Sequence, residues 1–392
     1  MRVLFSSTSG FGHVIPMLQL ATAFRDAGHE VLWATAAQAT PVVTAAGIEA
    51  VATGAHGAEE ARLRGAVLRP AEGLPGAERP AFVFPRMFGA ALTPPMAADL
   101  IRVAGEWRPD LLVHESAELA APLVAELCSV PSVTHSFGTA VPVSILDDTR
   151  ERLAGLWRSH GLEVPPYAGC FRDGYLDICP ASLQTTALDH IAEVQPLRPV
   201  TATGSRALPT VEPLAYVSMG TVHNRPELLR EVVAGVAGLG VRTLVAVGPR
   251  VEPASLGAQP DHVQVEAWVD QAEVLTRCTA VVSHGGSGTF LGALAQGVPQ
   301  LCLPQAADQF RNAEGGLRAG AVLALLPGEV TPAAVRSALE RLLSEPGFRE
   351  ASGRVAAEIA AMPSPAAVVT RLAERFSPWP GRGIDPGDRL SP

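Results

Sequence analysis

Residues 280–300, AVVSHGGSGTFLGALAQGVPQ, pass from a short apolar stretch into a glycine-dense loop that begins at His284, then into a helical pattern that stops at Gly297. The apolar run is too short for a buried helix and the closing glycine sits where a helix is capped, so the segment reads as strand, loop and helix. Such a loop can cradle phosphate. Main-chain N–H groups at the helix start face the ligand, Gly285, Gly286 and Gly288 allow close approach, and the Ser287 and Thr289 hydroxyls add donors. A helix start stabilises an anion by roughly 0.3 to 1 kcal/mol when exposed and up to about 2 when partly buried. His284 can add one more hydrogen bond. Glycines also suit a bare tight turn, so the neighbouring motifs have to decide.

The same alternation extends in both directions. Upstream in this half, strands are expected at Leu214 to Ser218, Thr243 to Val247 and Val263 to Val265; downstream, at Gln300 to Leu303 and Val322 to Leu325. Helical patterns lie at Glu227 to Ala237, Phe290 to Gln296, Thr331 to Leu343 and Pro365 to Phe376. The first fifty residues repeat the theme, with strands at Val3 to Ser6 and Val31 to Ala34 and helices stopped by Gly28 and Gly47. It resumes at Leu111 to His114, Leu119 to Cys128 and Ser132 to Ser136. Short apolar strands between amphipathic helices predict an α/β chain of two doubly wound parallel sheets. The expected organisation is a domain at 1–200, a Pro/Gly/Ser/Thr-rich linker at 201–213, a second domain at 214–376 and a flexible tail at 377–392. Residues 55–98 and 141–180 read as long irregular inserts, the kind of segment that usually carries function.

At 392 residues the chain calls for two cores, and 47% hydrophobic against 18% charged residues suits a globular protein. All 30 basic residues are Arg and the net charge is -9, which offers nucleic acid or an anionic membrane surface no electrostatic footprint. The five cysteines are scattered without a CxxC pair, which indicates neither a disulfide framework nor a zinc site. With no signal-like start and no run of 18 apolar residues, a cytoplasmic protein without a membrane span is expected. A homodimer is left open.

Further motifs flank the glycine loop. EAWVDQAEVL puts Trp268 just past a strand end, where open parallel sheets bind ligands, although a lone Trp also suits core packing. LCLPQAADQF puts Asp308 and Gln309 after the next strand, placed for sugar hydroxyls, with an N-cap role for Asp308 as the alternative. Trp268, HGGSGT at 284–289, GVP at 297–299 and the DQ pair, in that order, resemble the donor signature of nucleotide-sugar glycosyltransferases with the GT-B fold. Among these, the chain looks most like the bacterial natural-product enzymes that decorate antibiotics and polyketides. The resemblance runs from SGFGHVIPMLQLATAFRDAGHEV at residue 9 through PDLLVHE and SMGT to the DQ pair.

The resemblance implies that Trp268 and Val269 contact the base and that His284 with the 285–289 loop holds the diphosphate. It implies sugar contacts from Asp308 and Gln309. Gly220 and Thr221 would line the diphosphate, with Gly12 grouped among the donor contacts. Members that use UDP-sugars commonly carry a Glu eight residues after the motif His, where this chain has Gly292. A carboxylate there serves a ribose 2'-hydroxyl, so its loss favours a TDP-sugar as co-substrate.

In SGFGHVIP a third glycine is missing at Ile15, and no acidic residue closes the second strand, so this loop is not a dinucleotide fingerprint. His13 at the helix start is a candidate general base, since an imidazole with an ordinary pKa of about 6.5 can take a proton from a hydroxyl near neutral pH. The resemblance assigns its carboxylate partner to Glu115, with the neighbouring His114 on the opposite face of the strand. The expected reaction is direct displacement with inversion, without metal or other cofactor, since no DxD-like pair follows a strand in the second half. A small, apolar aglycone such as a polyketide or enediyne would be lined by Phe82, Phe84, Met87, Phe88, His135 and Phe137, unless these side chains merely pack their own loops. A nucleotide-sugar 2-epimerase and a non-catalytic auxiliary partner of a glycosyltransferase are the competing readings.

Overall fold

A computed structural model describes residues 1–199, 213–220, 226–248 and 251–377. The expected linker apart from Pro213, Thr221 of the SMGT motif, and the tail beyond Ser377 lie outside the described residues. The chain divides into two compact units.

The first unit is built on seven strands: β1 (Arg2–Ser6), β2 (Glu30–Thr35), β3 (Glu49–Ala52), β4 (Leu111–Glu115), β5 (Ser132–His135), β6 (Tyr175–Asp177) and β7 (Val194–Pro196). They lie in the order β3-β2-β1-β4-β5-β6-β7, and every pairing is parallel. β1 is the pivot, with Val3 beside Val31 on one flank and Leu111 on the other. A central parallel strand is enclosed on both faces, and all five residues of β4 are buried, its apolar Leu111–Val113 as well as His114 and Glu115. Next to it, Phe5 stacks on the buried Trp33 at 5.3 Å, and the indole N–H donates to Ser7 Oγ at 2.9 Å. Full burial of a side chain of this class stabilises the fold by roughly 1.5–3 kcal/mol.

The second unit holds β8 (Leu214–Ser218), β9 (Arg242–Ala246), β10 (Val263–Glu266), β11 (Ala280–Ser283), β12 (Gln300–Cys302) and β13 (Val322–Ala324). Their order is β10-β9-β8-β11-β12-β13, again all parallel. Each sheet therefore reverses direction once, between β1 and β4 in the first and between β8 and β11 in the second.

The chain path differs from the expected boundaries. Residues 179–185 belong to the second unit, and the described residues from Pro363 to Ser377 belong to the first. The helix Pro365–Phe376 buries Val368, Val369 and Leu372 and packs with the helix Phe11–Asp26. Arg371 Nη1 donates to Gln195 Oε1 at 2.9 Å, and Arg375 pairs with Glu193 at 3.6 Å.

The two inserts expected to be irregular are largely helical. Residues 55–98 contain the helices Gly57–Ala71 and Arg79–Phe84, a π-helical turn Pro85–Leu92 and the start of the helix Thr93–Trp107. Helix Val143–Ser159 fills much of the second insert. Pro80, Pro85, Pro94 and Pro95 all sit in first turns, where the missing N–H costs nothing, so these prolines begin helices instead of breaking them.

Candidate active site

Both reversals carry candidate residues, as the crevice at the carboxyl ends of a doubly wound sheet predicts. In the second unit β11 delivers His284 and β8 delivers Gly220. The His284 ring is half-buried between two glycines. A Cβ on Gly220 would lie 2.6 Å from His284 Cε1, and one on Gly286 would overlap its Nε2. Only glycine fits at either place. Gly220 and Gly285 also hold φ of 76° and 77°, the left-handed region that favours glycine.

The helix Ser287–Ala295 starts here from an extended Gly286, and no side chain caps it. Its first main-chain N–H groups are therefore not shielded by a cap, the arrangement that receives an anion. The hydroxyls behave differently from the expectation that they add donors toward a ligand. Ser287 Oγ donates to Asp308 Oδ2 at 2.5 Å and Thr289 Oγ1 to Gln271 Oε1 at 2.9 Å, so both point their protons into the protein. The expected anion contacts thereby reduce to the main-chain N–H groups and His284.

Asp308 occupies the N-cap position of the helix Gln309–Arg318, yet its carboxylate turns to Ser287 and makes no cap. Gln309 is buried, and its Oε1 accepts from the Gln305 and Ala306 amides at 2.7 and 3.0 Å, which braces the loop through Ala307 at φ 54°. Sequence reasoning missed Asn312. This buried amide donates to Gly285 O (2.9 Å), Ser287 Oγ (3.0 Å) and Asp308 Oδ2 (3.1 Å), tying the glycine loop to the DQ loop. Its position one helical turn after Asp308 was the available signal. Trp268 is 75% exposed, so it is not a core residue, and Val269 beside it is half-buried. Gly292 faces the helix Gln271–Leu275, where a Cβ would come within 3.0 Å of Leu275 Cδ1.

In the first unit β1 delivers the helix Phe11–Asp26, with Gly12 and His13 in its first turn, and β4 ends at Glu115. His13 Nδ1 lies 3.1 Å from Glu115 Oε2; the Glu115 side chain is wholly buried and that of His13 is 22% exposed. The carboxylate also accepts from Thr8 N and Oγ1 at 3.2 and 2.9 Å and from Ala117 N at 2.6 Å. Burial alone would raise its pKa, but His13 and these hydrogen bonds outweigh it and hold the group below its ordinary value. His114 faces away, bonded to Glu118 O and Thr134 Oγ1.

Of the six expected acceptor residues, two lie on the His13 ring: Phe137 at 4.8 Å and Phe88 at 5.6 Å between centroids. Phe84 and Met87 are buried, Phe84 packing on Phe88 at 5.0 Å. Phe82 carries the Arg86 guanidinium at 3.9 Å. His135 is fully buried, and burial pushes its pKa down to about 4. An open cavity of about 390 Å³, solvent at its mouth included, is lined by Thr8, Phe88 and Ala117, which also touch the His13–Glu115 pair, and further by Ser9, Glu60 and Arg64. Glu60 and Arg64 lie outside the motifs, and Ser9 only opens SGFGHVIP; sequence reasoning gave none of the three a role.

Glu118 lines the same cavity. Burial pushes its pKa up to about 7, although the Ala120 and Ala121 amides donate to it at 2.9 and 3.1 Å. Among the described residues no three His, Cys, Asp or Glu side chains converge as a metal would require, and no helix is long and apolar enough to cross a membrane.

Two doubly wound parallel sheets, one presenting a glycine-walled anion cradle and the other a histidine–carboxylate pair beside a cavity, define a glycosyltransferase of the GT-B class. The chain belongs to the Erythromycin biosynthesis protein CIII-like family, whose N-terminal domain matches residues 81–266 and whose C-terminal domain matches residues 230–375. It is 35% identical over 385 residues to the L-demethylnoviosyl transferase of Streptomyces niveus, covering 95% of this chain and 98% of that protein. It is 33% identical to the elloramycin glycosyltransferase ElmGT of Streptomyces olivaceus, covering 96% and 98%. The solved structure of the spinosyn rhamnosyltransferase SpnG complexed with thymidine diphosphate matches with a TM-score of 0.76 at 27% identity, over 95% of this chain and 100% of that one. The chain is a bacterial natural-product glycosyltransferase.

Two outcomes follow from this geometry. Gly286→Ala must displace the His284 ring, and nucleoside diphosphate affinity, read by calorimetry, is expected to fall at least about tenfold, or 1.4 kcal/mol; unchanged affinity would place the anion elsewhere. Because the folded state holds the Glu118 proton more tightly than the unfolded chain, its contribution is full below pH 4.5 and lost as pH rises through about 7. Glu118→Gln should therefore gain stability relative to wild type across that window, by on the order of 3 kcal/mol in urea unfolding; a difference independent of pH would contradict the assignment.

Proposed function

We propose that the enzyme transfers a sugar from a TDP-sugar to a hydroxyl of a small, largely apolar natural product held in the cavity of the first unit, inverting the anomeric centre. The observation that carries this reading is the 3.1 Å contact between His13 and the wholly buried Glu115, beside that cavity. Glu115 faces Nδ1, so the other ring nitrogen, Nε2, receives the acceptor proton. The hydroxyl oxygen attacks the anomeric carbon as the bond to the diphosphate breaks, and the charge of the leaving diphosphate is met by His284 and the main-chain N–H groups of the helix at Ser287. Glu115 stabilises the imidazolium that forms. A positioned base of this kind supplies roughly 10² to 10⁴ in rate, and preorganised support for the leaving group is commonly the larger contribution. No metal enters the scheme.

Trp268 offers an exposed aromatic face to the base. The thymidine nucleotide is favoured by Gly292, whose buried surroundings against Leu275 leave no carboxylate for a ribose 2'-hydroxyl, and by the thymidine diphosphate bound to the similar SpnG. Asp308 is proposed as a contact to sugar hydroxyls through its second oxygen, with Gln309 holding the loop beneath it.

His13→Ala is expected to lower kcat for sugar transfer by about 10² to 10⁴ while leaving nucleotide binding intact; transfer at the wild-type rate would remove His13 as the base. In a thermal-shift comparison TDP should stabilise the protein more than UDP at equal concentration, since ligand bound only to the folded state raises the midpoint. The reverse order would contradict the donor assignment.

A further inference from the structure

Both members of the His13–Glu115 contact touch one loop, residues 7–10, which joins β1 to the helix Phe11–Asp26. On the carboxylate side, Thr8 donates to Glu115 Oε1 from its main-chain N–H and its hydroxyl, at 3.2 and 2.9 Å. On the imidazole side, a Cβ on Gly10 would lie 2.7 Å from His13 Cδ2, so the loop backs the ring edge that faces away from Glu115. A displacement of the loop therefore changes the geometry of the pair.

The helix itself does not secure that loop. Gly10 stands at its N-cap position, no side chain bonds the first main-chain N–H groups, and the first turn holds no acidic residue. Terminal turns left this way are the first to open. The fixing bonds come from other elements. Ser7 Oγ accepts from the Trp33 indole at 2.9 Å and donates to Thr35 Oγ1 at 3.2 Å, both on β2. Ser9 is held by the helix Gly57–Ala71: its hydroxyl donates to Glu60 Oε1 at 2.9 Å and accepts from Arg64 Nη2 at 2.9 Å. Arg64 Nε donates to the same Glu60 oxygen at 2.7 Å, and Gln38 donates to the other.

Glu60 is therefore more than an exposed i,i+4 partner of Arg64. Its side chain is only 10% exposed. Burial would raise its pKa, but Arg64, Ser9 and Gln38 outweigh it and keep the group ionised at neutral pH. The acceptor of the Ser9 bond is thus a carboxylate, and a hydrogen bond to an ionised acceptor is roughly twice as strong as a neutral one.

We infer that Glu60 is a positioning residue for the candidate base: through Ser9 it fixes the loop that sets the His13–Glu115 contact. Glu60 acts at one remove and touches neither reacting group. Such placement matters because a shift of about 1 Å at a reacting group can cost roughly 10²-fold in rate. The inference rests on the reading of His13 as the base.

A magnetic-resonance titration of the full chain, labelled with 13C at its histidines, tests this without any substrate. The signal that His13→Ala removes belongs to His13. Ser9→Ala deletes the tether, so the protonated ring loses part of its support from Glu115. Its midpoint is expected to fall by at least about 0.5 pH unit, a threefold weaker hold on the proton, whereas Ser9→Thr, which keeps the hydroxyl, should stay near wild type. Glu118, His114, His135 and Cys170 act electrostatically on Glu115, and Glu60 and Arg64 adjoin Ser9. Ser9→Ala removes none of these groups, so Glu118, which titrates in the same range, bends both curves alike. Glu60→Ala and Glu60→Gln delete the same charge, but only Gln can still accept from Ser9 Oγ; the Ala variant should therefore show the lower His13 midpoint. That comparison decides the matter should Ser9→Ala fail to fold. An unchanged midpoint in Ser9→Ala, or equal midpoints in the two Glu60 variants, overturns the inference. Sugar transfer by His13→Ala at the wild-type rate would instead count against the proposed reaction and leave the tether standing.

Discussion

Parallel strands place all their carboxyl ends on one edge of a sheet, and a doubly wound order opens that edge at a single point. The His13–Glu115 pair and the Gly220–His284 contact depend on that constraint. In the first unit the opening lies between β1 and β4, which end at the loop to His13 and at Glu115. In the second it lies between β8 and β11, which end at the loop to Gly220 and at His284. Residues far apart in the chain meet because the strands that carry them are neighbours in register, Ser6 beside His114 and Ser218 beside Ser283.

A charge enclosed in protein must be paired and hydrogen-bonded. The turn after β4 satisfies this for two carboxyl groups in two ways. Glu115 has a cationic-capable partner in His13 and three hydrogen bonds, and it stays ionised. Glu118, three residues on, has main-chain donors but no cation, and its pKa rises to about 7. The same turn thus yields one permanent anion, which can stabilise a protonated histidine, and one carboxyl group that titrates near neutrality.

The anion cradle of the second unit rests on clearance. His284 can stand beside the helix start only because Gly220 and Gly286 have no Cβ, and the hydroxyls that might have crowded the approach are bonded inward by Asp308 and Gln271. Asn312 holds this arrangement by spanning three acceptors at once. A cradle whose parts are fixed before the ligand arrives loses little by reorganising, which is what makes preorganised dipoles effective.

Local pattern determined much of this by itself. The runs Leu214–Ser218 and Ala280–Ser283 read as strands with the bounds they have, the helix Pro365–Phe376 likewise, and His13, His284 and the DQ pair stood out because their residue types suit the chemistry, whereas Glu115 was assigned only by the resemblance. Pattern misled where one signal serves two structures: prolines that looked like loop residues in 55–98 open helices, and β3, β6 and β7 are too short to show a period. What only the tertiary structure decided is non-local. Glu60 and Arg64 look like an ordinary surface pair until Ser9 and Gln38 close on them, Asn312 gains its meaning from Gly285, and the last helix joins the first unit through side chains far away in the chain. Periodicity and residue type report on a segment's own backbone and faces; which distant atoms come within hydrogen-bonding reach is set by strand order and packing, and no single segment encodes that.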